Sequence, residues 1–327
     1  MFYPLTFRPI FKERIWGGRN LERLYAKPLP PAVPIGESWE ITDRPEGVSE
    51  ITNGPLAGRD LRWLMENHAA ELLGRTDPTA AGRFPLLVKI LDAQDVLSLQ
   101  VHPPAALAPS LGGEPKTEMW YFAETTPTAE IFVGLKRGVT RAEFEQRLAD
   151  GSVAQCFHRH AVRAGNAMFL PSGRVHALGA GSVIFEIQQN SDTTYRVFDW
   201  NRRDKDGNLR ELHIAQGLAS IDFTDFEPPL IPNRLAANSA GPTAQADTLV
   251  SDPLFEVTLR REPAGRSEQR MRPGLLILAV LAGELTVTGG GQTVVLRPGQ
   301  FCLLPAALAE FTLAAHADAK FLQVRPG

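Results

Sequence analysis

The sequence predicts a mainly β fold, two similar antiparallel barrels with short helical inserts, and three observations carry that prediction. Short apolar runs of strand length recur along the chain: SWEIT, PLLVKILDA, LSLQVH, MWYFAE, AEIFVGL, AMFLP and SVIFEIQQ, then LFEVTLRRE, LLILAVLAGELTV, TVVLRPGQFCLLP and KFLQVR. The 28 glycines and 26 prolines are spread throughout, as many turns between short strands require. The third observation is an internal repeat. RAGNAMFLPSGRVHAL from Arg163 aligns with RPGQFCLLPAALAEFTL from Arg297, setting Gly165 on Gly299, Pro171 on Pro305 and His176 on Glu310. Each copy reads as turn, apolar strand, proline and return strand.

Helical patterns are few. Residues 59–73 place Leu61, Leu64, Met65, His68 and Leu72 on one face, which predicts a helical insert at about 57–75. Residues 140–148 open with the capping-box pattern TRAE and stop before Gly151. RELHIAQGLASI reads as one more short helix. Residues 226–247 are rich in Pro, Ala and Asn and have neither period, so they are read as a linker or long loop. The expected division is a first barrel with its insert over 1–225, the connection over 226–247 and a second barrel over 248–327.

With 327 residues and 43% apolar side chains, the chain can bury a sizeable core. A net charge of −3 supplies no basic field for nucleic acid or an anionic membrane. Cys156 and Cys302 are too few for a disulfide framework and suit a reducing cytosol. The opening MFYPLTFRPIFKERIW has prolines and charges where a secretory signal needs an apolar core. The apolar run at 275–282 falls far short of the roughly 20 residues that span a bilayer. A cytoplasmic protein is expected, with neither nucleic acid nor membrane as partner.

LSLQVHPP, from Leu97, sets Gln100 and His102 on one strand face, where burying an amide beside an imidazole is unfavourable unless something binds them. Glu118 heads the strand in KTEMWYF, and His176 follows in LPSGRVHAL. An amide oxygen, two imidazoles and a carboxylate form a mixed N/O donor set suited to Zn²⁺ or another divalent first-row ion. A metal with an open position can polarise a carbonyl. The spacing Gly165-x₅-Pro171-x-Gly173-x₂-His176 resembles the second motif of the cupin barrels, which makes the fold two cupin-type jelly-roll barrels. The usual first motif, H-x-H then Glu, here reads Gln100-x-His102 with Glu118 farther on, and Ala180 stands where asparagine often closes the second motif.

Other histidines are read as structural or surface residues: His68, His213 and His316. His158 and His160 form a true H-x-H, but only four residues separate them from Gly165, too few for a first metal-bearing hairpin. DKDGNLRE after Arg203 resembles the start of a calcium loop without its closing glutamate, so its Asp-Gly is read as a tight turn.

RIWGGRNL, GESWEIT, FPLLVKILDA, LSLQVHP, KTEMWY, LPSGRVHALG and EIQQNSDTTYRVFDWNR run in order across about the first two thirds of the chain. Together they resemble the type I mannose-6-phosphate isomerases (phosphomannose isomerases) in their shorter bacterial form. The resemblance implies one zinc ion per chain on Gln100, His102, Glu118 and His176. It also implies interconversion of mannose 6-phosphate and fructose 6-phosphate through a cis-enediol(ate). It makes Arg196 the active-site arginine and Glu186 the proton-shuttling base, the alternative being that Glu186 only pairs with Arg196 or supports a ligand. Lys116 matches a family lysine and shares the face of Glu118, and Ser98 shares that of Gln100. These two, with Arg202 and Arg203, are candidates for binding the sugar phosphate. Pro104 replaces a usual aspartate, Ser38 a common cysteine, and Glu310 takes the place of His176 in the second copy, which is therefore expected to lack metal. The alternatives are a non-catalytic sugar-phosphate sensor and another cupin metalloenzyme, such as an iron oxygenase, on the same scaffold.

Overall fold

Apolar runs of four to eight residues bounded by turns satisfy their backbone groups by pairing side by side. The computed structural model, which describes residues 2–203, 207–235, 243–271 and 274–327, is accordingly built mainly of antiparallel strands. By contact the chain divides into two units. One comprises Met1–Glu13, Arg19–Ile90 and Asn233–Gly327, and the other Arg14–Gly18 and Leu91–Pro232.

The second of these units holds one jelly-roll barrel. One of its sheets runs from the end of Leu86–Ala93 through Ser182–Gln189 and Glu118–Thr125 to Ala167–Leu170. The other has the order Tyr195–Phe198, Leu99–Val101, His176–Leu178, Glu130–Leu135 and Phe157–Ala161. Two apolar clusters fill the barrel, one around Leu99, Phe144, Phe157 and Val197, the other around Trp16, Trp120, Phe122 and Met168. Each such fully buried large side chain contributes roughly 1.5–3 kcal/mol.

Register then brings distant residues into rows. Gln100 pairs with His176 on one side and Arg196 on the other. Glu118 lies between Leu170 and Gln188, and Trp120 between Met168 and Glu186. Residues 225–231 form a strap that bonds to the end of Glu130–Leu135 in one sheet and to the edge strand Ala167–Leu170 in the other. Leu135 N donates to Asp225 O at 3.0 Å and Glu227 N to Leu135 O at 2.9 Å, while Ala167 and Ile231 exchange two bonds of 2.9 Å. The strap passes so near Gly134, at φ +68°, that a Cβ there would collide with Pro228.

The other unit contains the second barrel. Its five-stranded sheet has the order Gln245–Asp252, Phe255–Glu262, Ala319–Pro326, Leu276–Ala282 and Phe301–Leu304. Its four-stranded sheet has the order Arg266–Met271, Glu310–Ala315, Leu285–Gly289 and Gln292–Leu296. Leu278, Val287, Phe311 and Phe321 belong to a single apolar core. The internal repeat is visible in three dimensions. Gly165 (φ +90°) precedes the strand ending at Leu170, Gly299 (φ +76°) precedes the strand ending at Leu304, and a proline follows each.

The helical insert consists of Leu61–Asn67, with Asp60 accepting the Trp63 N–H at 2.7 Å, and Ala69–Leu73. Leu61, Leu64, Met65 and Leu72 are buried as expected. His68 departs from that face. Its backbone (φ −143°) breaks the helix and leaves it half-exposed at the junction. Thr140 caps Arg141–Ala149 through Glu143 N at 3.2 Å, and Ile214–Ser220 forms the last helix. Among the described residues no helix is long and apolar enough to cross a membrane. Both cysteines are buried and free.

Candidate metal centre

His102, Glu118 and His176 are all buried, and one candidate ligand atom from each lies within 4.8 Å of the others. Glu118 opens its strand, and His176 opens the return strand after the Pro171 turn. His102 sits one residue beyond Leu99–Val101, so it and Gln100 are not two positions of one regular strand. The chain turns into Pro103 there, and proline cannot continue the ladder.

Each imidazole is oriented from behind. His102 Nδ1–H donates to Thr193 O at 2.7 Å, and His176 Nδ1–H to Arg174 O at 2.9 Å. Both Nε2 lone pairs therefore face Glu118, at 3.6 Å from Oε2 for His102 and 3.3 Å from Oε1 for His176. A backbone carbonyl on the far nitrogen is the usual support of a metal-binding histidine. Burial, joined by the Lys116 charge, holds His102 below the ordinary imidazole range, and burial outweighs the Glu118 charge to push His176 down to about 3. Both rings are thus neutral donors at neutral pH.

Burial alone would raise the Glu118 carboxyl, but Lys116 and then His102 outweigh it and hold it well below the usual carboxylate range. Lys116 Nζ forms an ion pair with Glu118 Oε2 and stands 3.4 Å from His102 Nε2. Burial opposes the Lys116 charge, yet Glu118 and Glu186 raise its pKa. Neither Glu118 oxygen has a hydrogen bond of good geometry, although both are sealed from solvent. Unsatisfied buried carboxylate oxygens are costly. Two neutral imidazoles turned toward them make a site whose donors fit a divalent cation.

Gln100 joins this group through its amide. Nε2 lies 3.3 Å from His176 Nε2, and Oε1 lies 3.5 Å from Ser98 Oγ. A half-turn of the amide plane exchanges the two atoms and presents oxygen to the group. Arg196 Nε donates to Ser98 Oγ at 3.3 Å, and its Nη1 donates to Glu211 O at 2.9 Å. Glu186, on the row beside Glu118, accepts the Trp120 indole N–H at 2.8 Å.

Arg202 is engaged elsewhere. It bonds Asp199 Oδ1 at 2.5 Å, Val96 O at 2.5 Å and Asp95 Oδ2 at 3.1 Å. Arg203 Nη1 donates to Gly207 O at 2.7 Å, with Gly207 at φ +83°. Asp204, Lys205 and Asp206 of the calcium-like motif lie outside the described residues, as do 236–242 of the presumed linker.

Two residues escaped the sequence reading. Trp120 meets both Glu186 and the edge of His176, at 5.4 Å between ring centroids. Parity could have found it, since it lies two residues after Glu118. Arg210 approaches Asp199 Oδ1 at 3.6 Å and, with Arg202, adds positive charge near Arg196. Its loop has no period to reveal this. The equivalent of His176 in the second barrel, Glu310, is exposed and accepts a bond from Gln269 Nε2 at 2.7 Å.

Residues 5–124 match the catalytic domain of phosphomannose isomerase type I, and residues 264–321 match the cupin domain of mannose-6-phosphate isomerase. The chain is 35% identical over 321 residues to a mannose-6-phosphate isomerase of Bacillus subtilis, covering 96% of this chain and 97% of that one. It is 37% identical over 306 residues to a mannose-6-phosphate isomerase of Streptococcus mutans, covering 93% of each. The crystal structure of a mannose 6-phosphate isomerase from Bacillus subtilis superposes with a TM-score of 0.87 at 30% identity, covering 99% of this chain and 100% of that one.

Proposed function

This chain belongs to the type I mannose-6-phosphate isomerases, and from that premise we propose that it interconverts mannose 6-phosphate and fructose 6-phosphate with one zinc ion per chain. The observation that carries the reading is the buried His102, Glu118 and His176 group, with Lys116 on Glu118 Oε2, no hydrogen bond at Oε1 and both imidazoles held neutral. In this reading Gln100 completes the ligand set. Bound there, zinc would supply Lewis-acid stabilisation of developing negative charge on the sugar oxygens.

The remaining roles fall to the protein's own groups. Glu186 takes the proton from C2, and the C–H electron pair forms the cis-enediolate. The same carboxyl returns the proton to C1 while the C2 hydroxyl proton passes to the C1 oxygen, so that the open-chain aldose becomes the ketose with atoms and charge balanced. The Trp120 N–H bond holds Glu186 in place. Arg196, aimed by Ser98 and Glu211 O, stabilises the enediolate or steers the substrate. Lys116 and Ser98 bind the sugar phosphate, and Arg202, which in the free chain is ion-paired with Asp199 and Asp95, is a further cation for it. By chemistry, residues 1–225 form the catalytic part, 226–247 a connection and 248–327 a second barrel that holds no metal. Two buried free thiols suit a cytoplasmic setting.

The test is conversion of mannose 6-phosphate to fructose 6-phosphate by the purified chain, before and after chelation and after zinc is returned. Activity lost with the chelator and restored by zinc is expected. A folded, metal-loaded protein with no turnover would reject the isomerase and turn the assignment to the sensor or to another metalloenzyme of this fold.

A further inference from the structure

The H-x-H at 158–160 takes no part in the site above, and the fold sets it in a distinctive place. Phe157–Ala161 is an edge strand, so His158 and His160 project to one face with only Arg159 between them. Their ring centroids are 4.3 Å apart and their planes nearly perpendicular, at 86°. Both rings are half-buried. His160 Nε2–H donates to Pro228 O, in the strap, at 2.8 Å. That bond fixes the tautomer and leaves the His160 lone pair on Nδ1.

We propose that His158 and His160 form a second metal site, a two-imidazole chelate for a divalent first-row cation, on the edge of the first barrel. Imidazole pairs suit Zn²⁺, Ni²⁺ and Cu²⁺, and the order of affinities for a given nitrogen site makes Cu²⁺ the strongest occupant. Two protein donors leave positions open to water, so the site binds more weakly than the buried centre, with which it shares no residue. Burial, more than the neighbouring ring, lowers the His160 pKa and keeps its lone pair available at neutral pH. Because the far nitrogen of His160 is tied to Pro228, a bound cation also braces the strap.

The experiment uses the full chain with its buried centre loaded with zinc and excess metal removed. Cu²⁺ is titrated while electron paramagnetic resonance reads nitrogen coupling and zinc content is followed in parallel. One Cu²⁺ per chain is expected, with nitrogen hyperfine structure and no zinc released. His158→Gln, which leaves the His160–Pro228 bond intact, should raise the apparent Kd at least tenfold, and His160→Gln should do the same. Equal affinity in both variants and the parent, no copper bound, or copper taken up only as zinc leaves would each overturn the proposal. The readout is the same whether or not the chain proves to be an isomerase.

Discussion

The strands Ala167–Leu170 and Phe301–Leu304 each follow a left-handed glycine and end at a proline. The chain then returns, with buried His176 in the first barrel and with exposed Glu310 in the second. The turn and the strand are therefore set by glycine, proline and apolar packing. The ligand is an addition that the fold itself does not require. Charge follows the same division. In the first barrel it is buried, with Lys116 on Glu118 inside the metal group. In the second it forms a network between two strands, where Glu268 accepts two 3.0 Å bonds from Arg270 of Arg266–Met271 and Glu262 pairs with Arg260 at 2.8 Å within Phe255–Glu262.

The comparison breaks most visibly at the paired positions. His176→Ala is expected to lose the metal and to lower isomerase turnover by more than the roughly 10–100-fold that loss of a ligand's support costs. Glu310→Ala is expected to change neither. Metal analysis of the purified variants beside the rate decides it, and metal loss in Glu310→Ala would show that the second barrel takes part after all.

The next effect is on stability. Phe321 is fully buried in the core of the second barrel, and Phe321→Ala should cost about 3–5 kcal/mol. Denaturant unfolding should show that loss, while metal content per folded chain stays at the parent value. A loss of metal with Phe321→Ala would mean that the two barrels are less separable than their sites suggest.

The smallest effect concerns Glu268. The Arg270 hydrogen bond holds its carboxyl below the usual glutamate range. A depressed folded pKa gives stability that is present above the unfolded value, near 4.5, and lost as pH falls through the folded one. The side chain is largely solvated, so the contribution should stay below about 1 kcal/mol. Urea midpoints of the parent and Glu268→Gln should differ near neutral pH and converge in acid. A constant difference would show that the arginine ladder acts through packing instead of charge.

Strands with an apolar period were legible in the sequence, and so was the order of His102, Glu118 and His176. RSEQRM, at 266–271, was not, because its side chains pair charge with charge, Glu268 with Arg270 and Arg266 with Glu262, and carry no hydrophobic pattern. FHRHA, at 157–161, drew notice only as a histidine motif, since an edge strand needs apolar contacts on one face alone. His68 satisfied the helical period yet fell at a break, which periodicity cannot see. Trp120 and Arg210 were missed for a different reason. Their importance depends on which strand or loop lies opposite, and that is a property of register and not of local sequence.

The strap at 225–231 overlaps the start of the stretch at 226–247 that reads as a linker or long loop, and it bonds to Leu135 in one sheet and to Ala167 in the other. A segment sewn to both sheets couples their local opening. Fraying at either attachment must release the strap, and releasing the strap exposes backbone amides of both sheets together. Opening of this seam is thereby one cooperative event, and the rim of the first barrel stays closed or comes apart as a unit.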